Sequence, residues 1–192
     1  MSVVLGRTRL TNTTQGQVRA VHHVYIPGGW NPTDPHRKFD VAVLQLSGPP
    51  VVGIKPMEIA SVDDNWHEQA GKRQTVAGWG QTSPGGASSN ALLEARLPIV
   101  SDAEAANTFP GVFDPATMIA AGGGGARVCQ GDSGGPLFAT WKALGPGTGR
   151  YSQHGIAART LHVELCKPGY DGYTEVNNHQ IRQWIMSRAF GV

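Results

Sequence analysis

An antiparallel all-β protein closed by a single C-terminal helix is what the punctuation and periodicity of this sequence predict. Its 26 Gly and 13 Pro fall in clusters, Pro27-Gly28-Gly29, Gly48-Pro49-Pro50, Ser83-Pro84-Gly85-Gly86, residues 122–125 and Gly145-Pro146-Gly147, all of them turn signals. Between the clusters lie apolar runs of strand length, several rich in Val, Ile or Tyr: residues 2–5, 18–26, 41–46, 75–79, 92–100, 136–141 and 151–158. Helical spacing is evident only over residues 178–189, where Ile181, Trp184 and Ile185 share one face and Asn177 or Asn178 can cap the start. Strands therefore do not alternate with helices, which argues against a parallel α/β sheet.

With 192 residues and 40% hydrophobic content, the chain can bury a real core in one domain or two joined halves. A formal charge of +2 is too small for an electrostatic footprint on nucleic acid or an anionic membrane, so neither is expected as a partner. No apolar run is long enough to span a bilayer, and residues 1–6 are too short for the core of a signal peptide. The glycine run at residues 122–125 lacks the Lys-Ser or Lys-Thr of a phosphate cradle and reads as a loop. Cys129 and Cys166 fit a disulfide, two free thiols or half of a metal site. Neither has a His or Cys beside it at zinc-ligand spacing, which favours the disulfide and an oxidising compartment. No metal or cofactor is expected.

The chemistry concentrates in Gly131-Asp132-Ser133-Gly134-Gly135-Pro136. A carbonyl attacked by Ser133 Oγ must come close to the backbone while its developing oxyanion meets N–H donors, and a side chain at Gly131 would bias the backbone away from that geometry. The expected donors are the N–H groups of Gly131 and Ser133.

That motif, Phe39-Asp40-Val41-Ala42-Val43-Leu44, Val76-Ala77-Gly78-Trp79-Gly80, Gly155-Ile156-Ala157 and Gly172-Tyr173-Thr174-Glu175-Val176 resemble, in order and spacing, the chymotrypsin and trypsin family of serine proteases. The resemblance covers nearly the whole chain. It implies two antiparallel barrels with the first incomplete: residues 1–55 as its remnant, 56–74 as the connection, 75–176 as the second barrel and 177–192 as the terminal helix. It assigns Ser133 as nucleophile and Asp40 as the carboxylate that orients the catalytic imidazole. The family's Ala-Ala-His-Cys segment would fall before Met1, so a longer gene is expected and the 192 residues alone are expected to be inactive on peptides. An unclosed first barrel would also make them poorly soluble or partly disordered before about Asn65. His22 and His23 read as strand histidines, one of them facing solvent. His36 is the one candidate for a substitute base, and His67, His154, His162 and His179 read as structural or surface residues.

The resemblance further implies that Asp132 pairs with an amino terminus released on activation, and that Cys129–Cys166 is the disulfide fastening the serine loop to the wall of the specificity pocket. Two other family bridges are lost as pairs, at Ala105 with Ala120 and at Gln74 with Ala139. The pocket is formed by Arg127 at its floor with Val128, Ala158, Arg159, Thr160 and Asp171. Arg127 stands where trypsin-like members carry an aspartate, so a preference for Lys or Arg is not expected. It either selects an acidic side chain or is neutralised by Asp171 or Glu164. Polypeptide substrates and protein protease inhibitors are the partners implied, and secretion the location. Two other readings compete. An α/β-hydrolase elbow would use Ser133, Asp171 and His179, but needs a helix straight after the serine, which Gly134-Gly135-Pro136 starts poorly. A binding module could keep the protease fold without catalysis.

Overall fold

The computed structural model describes residues 1–36, 38–141, 150–161, 166 and 169–191. The expected turn at Gly145-Pro146-Gly147, and the residues His162 and Glu164, lie outside the described residues, as does the side chain of Thr160. The chain is mostly strand, in two sheets, with its principal helix at the C-terminus.

Strands β1 (Ser2–Leu5), β2 (Gln17–Tyr25) and β3 (Val43–Leu46) form an open antiparallel sheet in that order. Alternation predicts that one of His22 and His23 turns inward, yet both are exposed. The register slips between Val21 and His23 where β2 pairs with β3, and the extra residue of such a bulge breaks the two-residue period.

The second sheet closes on itself. Strands β5 (Arg73–Gly78), β6 (Leu93–Val100), β7 (Met118–Gly122), β8 (Pro136–Trp141), β9 (Arg150–Thr160) and β10 (Tyr170–Glu175) pair antiparallel in the ring β5-β6-β7-β10-β9-β8 and back to β5. A closed ring has no free edge except where a strand overhangs, and β4 (Glu58–Ile59) adds there, parallel to β9. Leu97, Leu137 and Tyr173, none of them exposed, fill the interior with Val76, Ile99, Ile119, Ala121 and Ala157.

Helix α1 (Asp102–Thr108) is not foreseen from periodicity, because seven residues make too few turns for an apolar stripe. Its start was nevertheless legible: Ser101 accepts a hydrogen bond from the Glu104 N–H, as a Ser-x-x-Glu sequence favours. Ala105, on α1, and Ala120, on β7, are buried in one cluster with Phe113 and Met118. Apolar contact thus occupies the place where the resemblance implies a lost bridge.

Helix α2 (His179–Phe190) is capped by Asn178, whose side chain accepts from the N–H groups of Gln180 and Ile181. Its buried face, Ile181 and Ile185 with Trp184 beside them, packs on Val41 and Val43 from the open sheet's side and on Val176 and Ile156 from the barrel. One hydrophobic cluster therefore ties the two sheets together next to Asp40.

Candidate active site

The loop from Cys129 to Gly135 is tied down on both sides. On one side, Asp132 carries the load: its Oδ1 accepts from the Gly80 N–H at 2.8 Å and its Oδ2 from the Cys129 N–H at 2.9 Å. A Cβ on Gly78 or Gly80 would come within 2.0 or 2.4 Å of the Asp132 carboxyl group, so the Gly-Trp-Gly pattern clears room for that side chain. On the other side, Gly134 donates to the Ala157 carbonyl at 2.8 Å and Gly135 accepts from the Ala157 N–H at 2.9 Å, which stitches the loop to β9. Cys129 and Cys166 form the disulfide.

Within this loop the N–H groups of Asp132, Gly134 and Gly135 are all committed to carbonyls. Those of Gly131 and Ser133 have no intramolecular partner among the described residues, and Ser133 is exposed. Gly131 sits at φ 99°, where only glycine is unstrained, and a Cβ there would lie 3.2 Å from the Gly80 Cα.

Asp40 follows Phe39, which takes the left-handed backbone at φ 57° and covers Gly29, where a Cβ would come within 2.9 Å of the ring. The Asp40 carbonyl accepts from Thr174 Oγ1 at 3.0 Å, and its carboxylate Oδ1 accepts from the Trp30 indole N–H at 3.2 Å. Thr174 on β10 is paired across the barrel wall with Ile156, and Tyr173 with Ala157. The Ser133 loop and the Asp40 segment are thus anchored at neighbouring rungs of one strand pair, although Asp40 and Ser133 lie 93 residues apart in the chain. Trp30 and Thr174 carry no sequence signal for this role, since each is defined by a contact with a distant segment.

Among the described residues no histidine hydrogen-bonds Ser133 or Asp40. His36 donates its backbone N–H to Asp34, and its Nδ1 is buried. Arg159 reaches from β9 to the Pro35 carbonyl beside it.

At the expected pocket floor Arg127 pairs with Asp171, Nη2 to Oδ1 3.4 Å, with side chains 7% and 0% exposed. Asp171 Oδ2 also accepts from the Val128 N–H at 3.3 Å. Burial, with Asp171 and Asp132 nearby, pushes the Tyr173 hydroxyl well above the usual tyrosine range and keeps it neutral. Ala158 and Arg159 are half-buried on the adjoining stretch of β9.

At the end of β10, burial first, then the charges of Glu68 and Asp102, raises Glu175 to about 8. Because the folded value lies above the unfolded 4.5, the protonated form contributes stability that is complete below 4.5 and lost as pH rises through 8. Glu175→Gln is expected to match the parent in urea unfolding at pH 5 and to exceed it at pH 9. After discounting for partial exposure the gain is about 1–2 kcal/mol. Equal midpoints at pH 9 would refute the assignment.

A Trypsin family model matches residues 1–185. The chain is 35% identical over 166 residues to a trypsin of Saccharopolyspora erythraea, covering 83% of this chain and 70% of that protein. It is 37% identical over 155 residues to trypsin-1 of Astacus astacus, covering 78% of this chain and 60% of that protein. To chymotrypsin-like elastase family member 1 of Canis lupus familiaris it is 30% identical over 165 residues, covering 81% and 59%. An antiparallel barrel with a Gly-Asp-Ser-Gly-Gly loop stitched to its wall is the framework of a serine protease, and the chain belongs to the trypsin family. It spans about 60% of the crayfish and canine relatives, and the helix of the described residues nearest to a span, α2, is not long and apolar enough to cross a membrane.

Proposed function

We propose that this protein is a serine endopeptidase that cleaves polypeptides through an acyl-enzyme on Ser133. The observation that carries the reading is the pair of open N–H groups at Gly131 and Ser133, on either side of an Asp132 N–H committed to the Cys129 carbonyl. Two fixed donors beside an exposed hydroxyl suit a tetrahedral oxyanion, and fixed donors cost no reorganisation when charge develops. Ser133 Oγ attacks the carbonyl and passes its proton to an imidazole that Asp40 orients; the same imidazole then protonates the leaving amine. No described histidine reaches Asp40, so turnover requires an imidazole supplied from beyond the described residues, and in this reading that imidazole is absent from chain 1–192, which is inactive alone.

A cavity of about 250 Å³ lined by Gly78, Gly80, Cys129 and Asp132 adjoins the Asp132 carboxylate. We assign it to a protonated amino terminus released on activation, with Asp132 as its anionic partner. The Arg127–Asp171 pair supports an electrically neutral pocket floor, and hence cleavage after uncharged side chains rather than acidic ones. The disulfide fits an oxidising, extracellular setting. Protein inhibitors that present a loop to the same cleft are the natural partners besides substrates. The hydrolase-elbow alternative has less support, because Ser133 leads into strand β8 where that reading needs a helix.

A fluorophosphonate probe tests the proposal. The full-length protein is expected to label at Ser133 and chain 1–192 to remain unlabelled. A full-length protein that binds peptides without labelling would instead be a binding module, and labelling of chain 1–192 would place the base within it.

A further inference from the structure

A second group of chemistry-bearing side chains lies away from the Ser133 loop, where the connection between the sheets crosses β9. From β9, Ser152 and His154 present a polar face where the register with β8 slips between Leu137 and Phe138, and Ile156 packs in the cluster with α2, outside the barrel interior that holds Ala157. Asp64 and His67 of the connection lie against this face. Ligand atoms from Asp64, His67 and His154 fall within 4.8 Å of one another, and the three side chains are 10%, 9% and 0% exposed.

The orientation of each group is as telling as their proximity. His67 Nδ1 lies 2.8 Å from Asp64 Oδ1, and His154 Nε2 lies 3.5 Å from Asp64 Oδ2. Both imidazoles thus turn a nitrogen toward one carboxylate. His154 Nδ1 lies 2.8 Å from Glu68 Oε1, so that carboxylate accepts the Nδ1–H and leaves the Nε2 lone pair to accept from the Ser152 hydroxyl at 3.1 Å. A carboxylate behind a histidine, fixing its tautomer and raising its basicity, is the usual outer partner of a metal-bound imidazole. A bound ion would take the Nε2 lone pair over from the Ser152 hydroxyl. The buried Gln74 holds the backbone at this point by donating to the His67 carbonyl at 3.1 Å.

We propose that Asp64, His67 and His154 bind a divalent first-row transition metal, Zn²⁺ above all, with Glu68 supporting His154 from behind. Two imidazoles and one carboxylate are a borderline donor set suited to zinc. Tetrahedral coordination at about 2.0–2.1 Å spaces ligand atoms roughly 3.4 Å apart; His154 Nε2 already lies 3.5 Å from Asp64 Oδ2, while His67 Nδ1, hydrogen-bonded to Oδ1 at 2.8 Å, would move apart from it on binding. Asp64 and Glu68 together balance a 2+ charge without help from Lys or Arg, and the ion pairs they make among the described residues are with these histidines. His67 lines an open groove of about 1110 Å³ together with Trp66 and Lys72, which gives the ion a route in. A bound metal would fasten the connection to β9 and stabilise the fold by mass action.

The test uses Zn²⁺ on chelator-stripped full-length protein, followed by calorimetric titration and thermal unfolding. One equivalent is expected to bind with micromolar affinity or better and to raise Tm. Glu68→Gln is expected to weaken binding 10- to 100-fold, and His67→Gln by more than that. If His67→Gln fails to fold, Glu68→Gln carries the test, since the amide can still accept from His154. His22→Gln with His23→Gln, which removes the exposed histidine pair of β2, is expected to leave affinity unchanged. Absence of saturable binding, affinity indifferent to Glu68→Gln, or loss of binding in the His22/His23 variant would each overturn the proposal.

Discussion

Ser133→Ala in the full-length protein is expected to lower kcat on peptide substrates by about 10⁶-fold, and Asp40→Asn by about 10⁴-fold, with the double variant no worse than Ser133→Ala alone. The non-additivity is the informative part, because in the proposed mechanism nucleophile, base and orienting carboxylate act as one unit. Neither replacement should disturb the fold. Ser133 is exposed, and Thr174 holds Asp40 through its backbone carbonyl, which asparagine retains. The amide oxygen of asparagine can also go on accepting from Trp30 Nε1. What asparagine cannot do is hold the imidazole in the donor tautomer and stabilise its cation. Steady-state kinetics with circular dichroism on the same samples would check both halves. A Ser133→Ala protein keeping more than a tenth of parental activity would remove Ser133 from the mechanism.

The Ser133 loop was legible because its constraints are local. Gly131, Asp132, Ser133 and Gly134 are contiguous, and Gly131, Asp132 and Gly134 each have a backbone or hydrogen-bonding reason to be where they are. The barrel was legible because Gly and Pro clusters cut the chain into strand-sized pieces, and the last helix because its apolar face and Asn cap are both local features. What stayed hidden depends on segments that meet only after folding. Nothing near Asp64 in sequence announces that it will face His154, and Glu68 meets His154 across 86 residues. Histidines taken singly read as structural, and those at 67 and 154 become a candidate ligand set only when β9 and the connection come together. The two-residue strand β4 was missed for the same reason, since its pairing with β9 is entirely non-local. Ser101 and Glu104 show the opposite case: a local signal was present, but α1 is too short for periodicity to draw attention to it.

Arg127→Ser, the obvious probe of pocket chemistry, is expected to report on folding before it reports on specificity. Asp171 is wholly buried on β10, and the guanidinium 3.4 Å away offsets its charge. Removing the cation from a buried pair leaves the carboxylate less compensated, at a cost of up to about 3–5 kcal/mol. The Val128 N–H at 3.3 Å stays in place, so the lower end of that range is the better estimate. For a chain of this size about 3 kcal/mol lowers Tm by roughly 6–12 °C. Arg127→Ser combined with Asp171→Asn should recover most of the loss, since it removes both charges and keeps a side chain of similar size against Val128. The double variant is then the proper instrument for specificity. If the pair is internal, it will cleave after the same uncharged residues as the parent. If Arg127 instead recognises acidic side chains, the parent will cleave after Glu or Asp and the double variant will not. Comparing the two on a library varied only at the residue before the scissile bond separates these outcomes, with the Tm of each variant showing that the protein being assayed is folded.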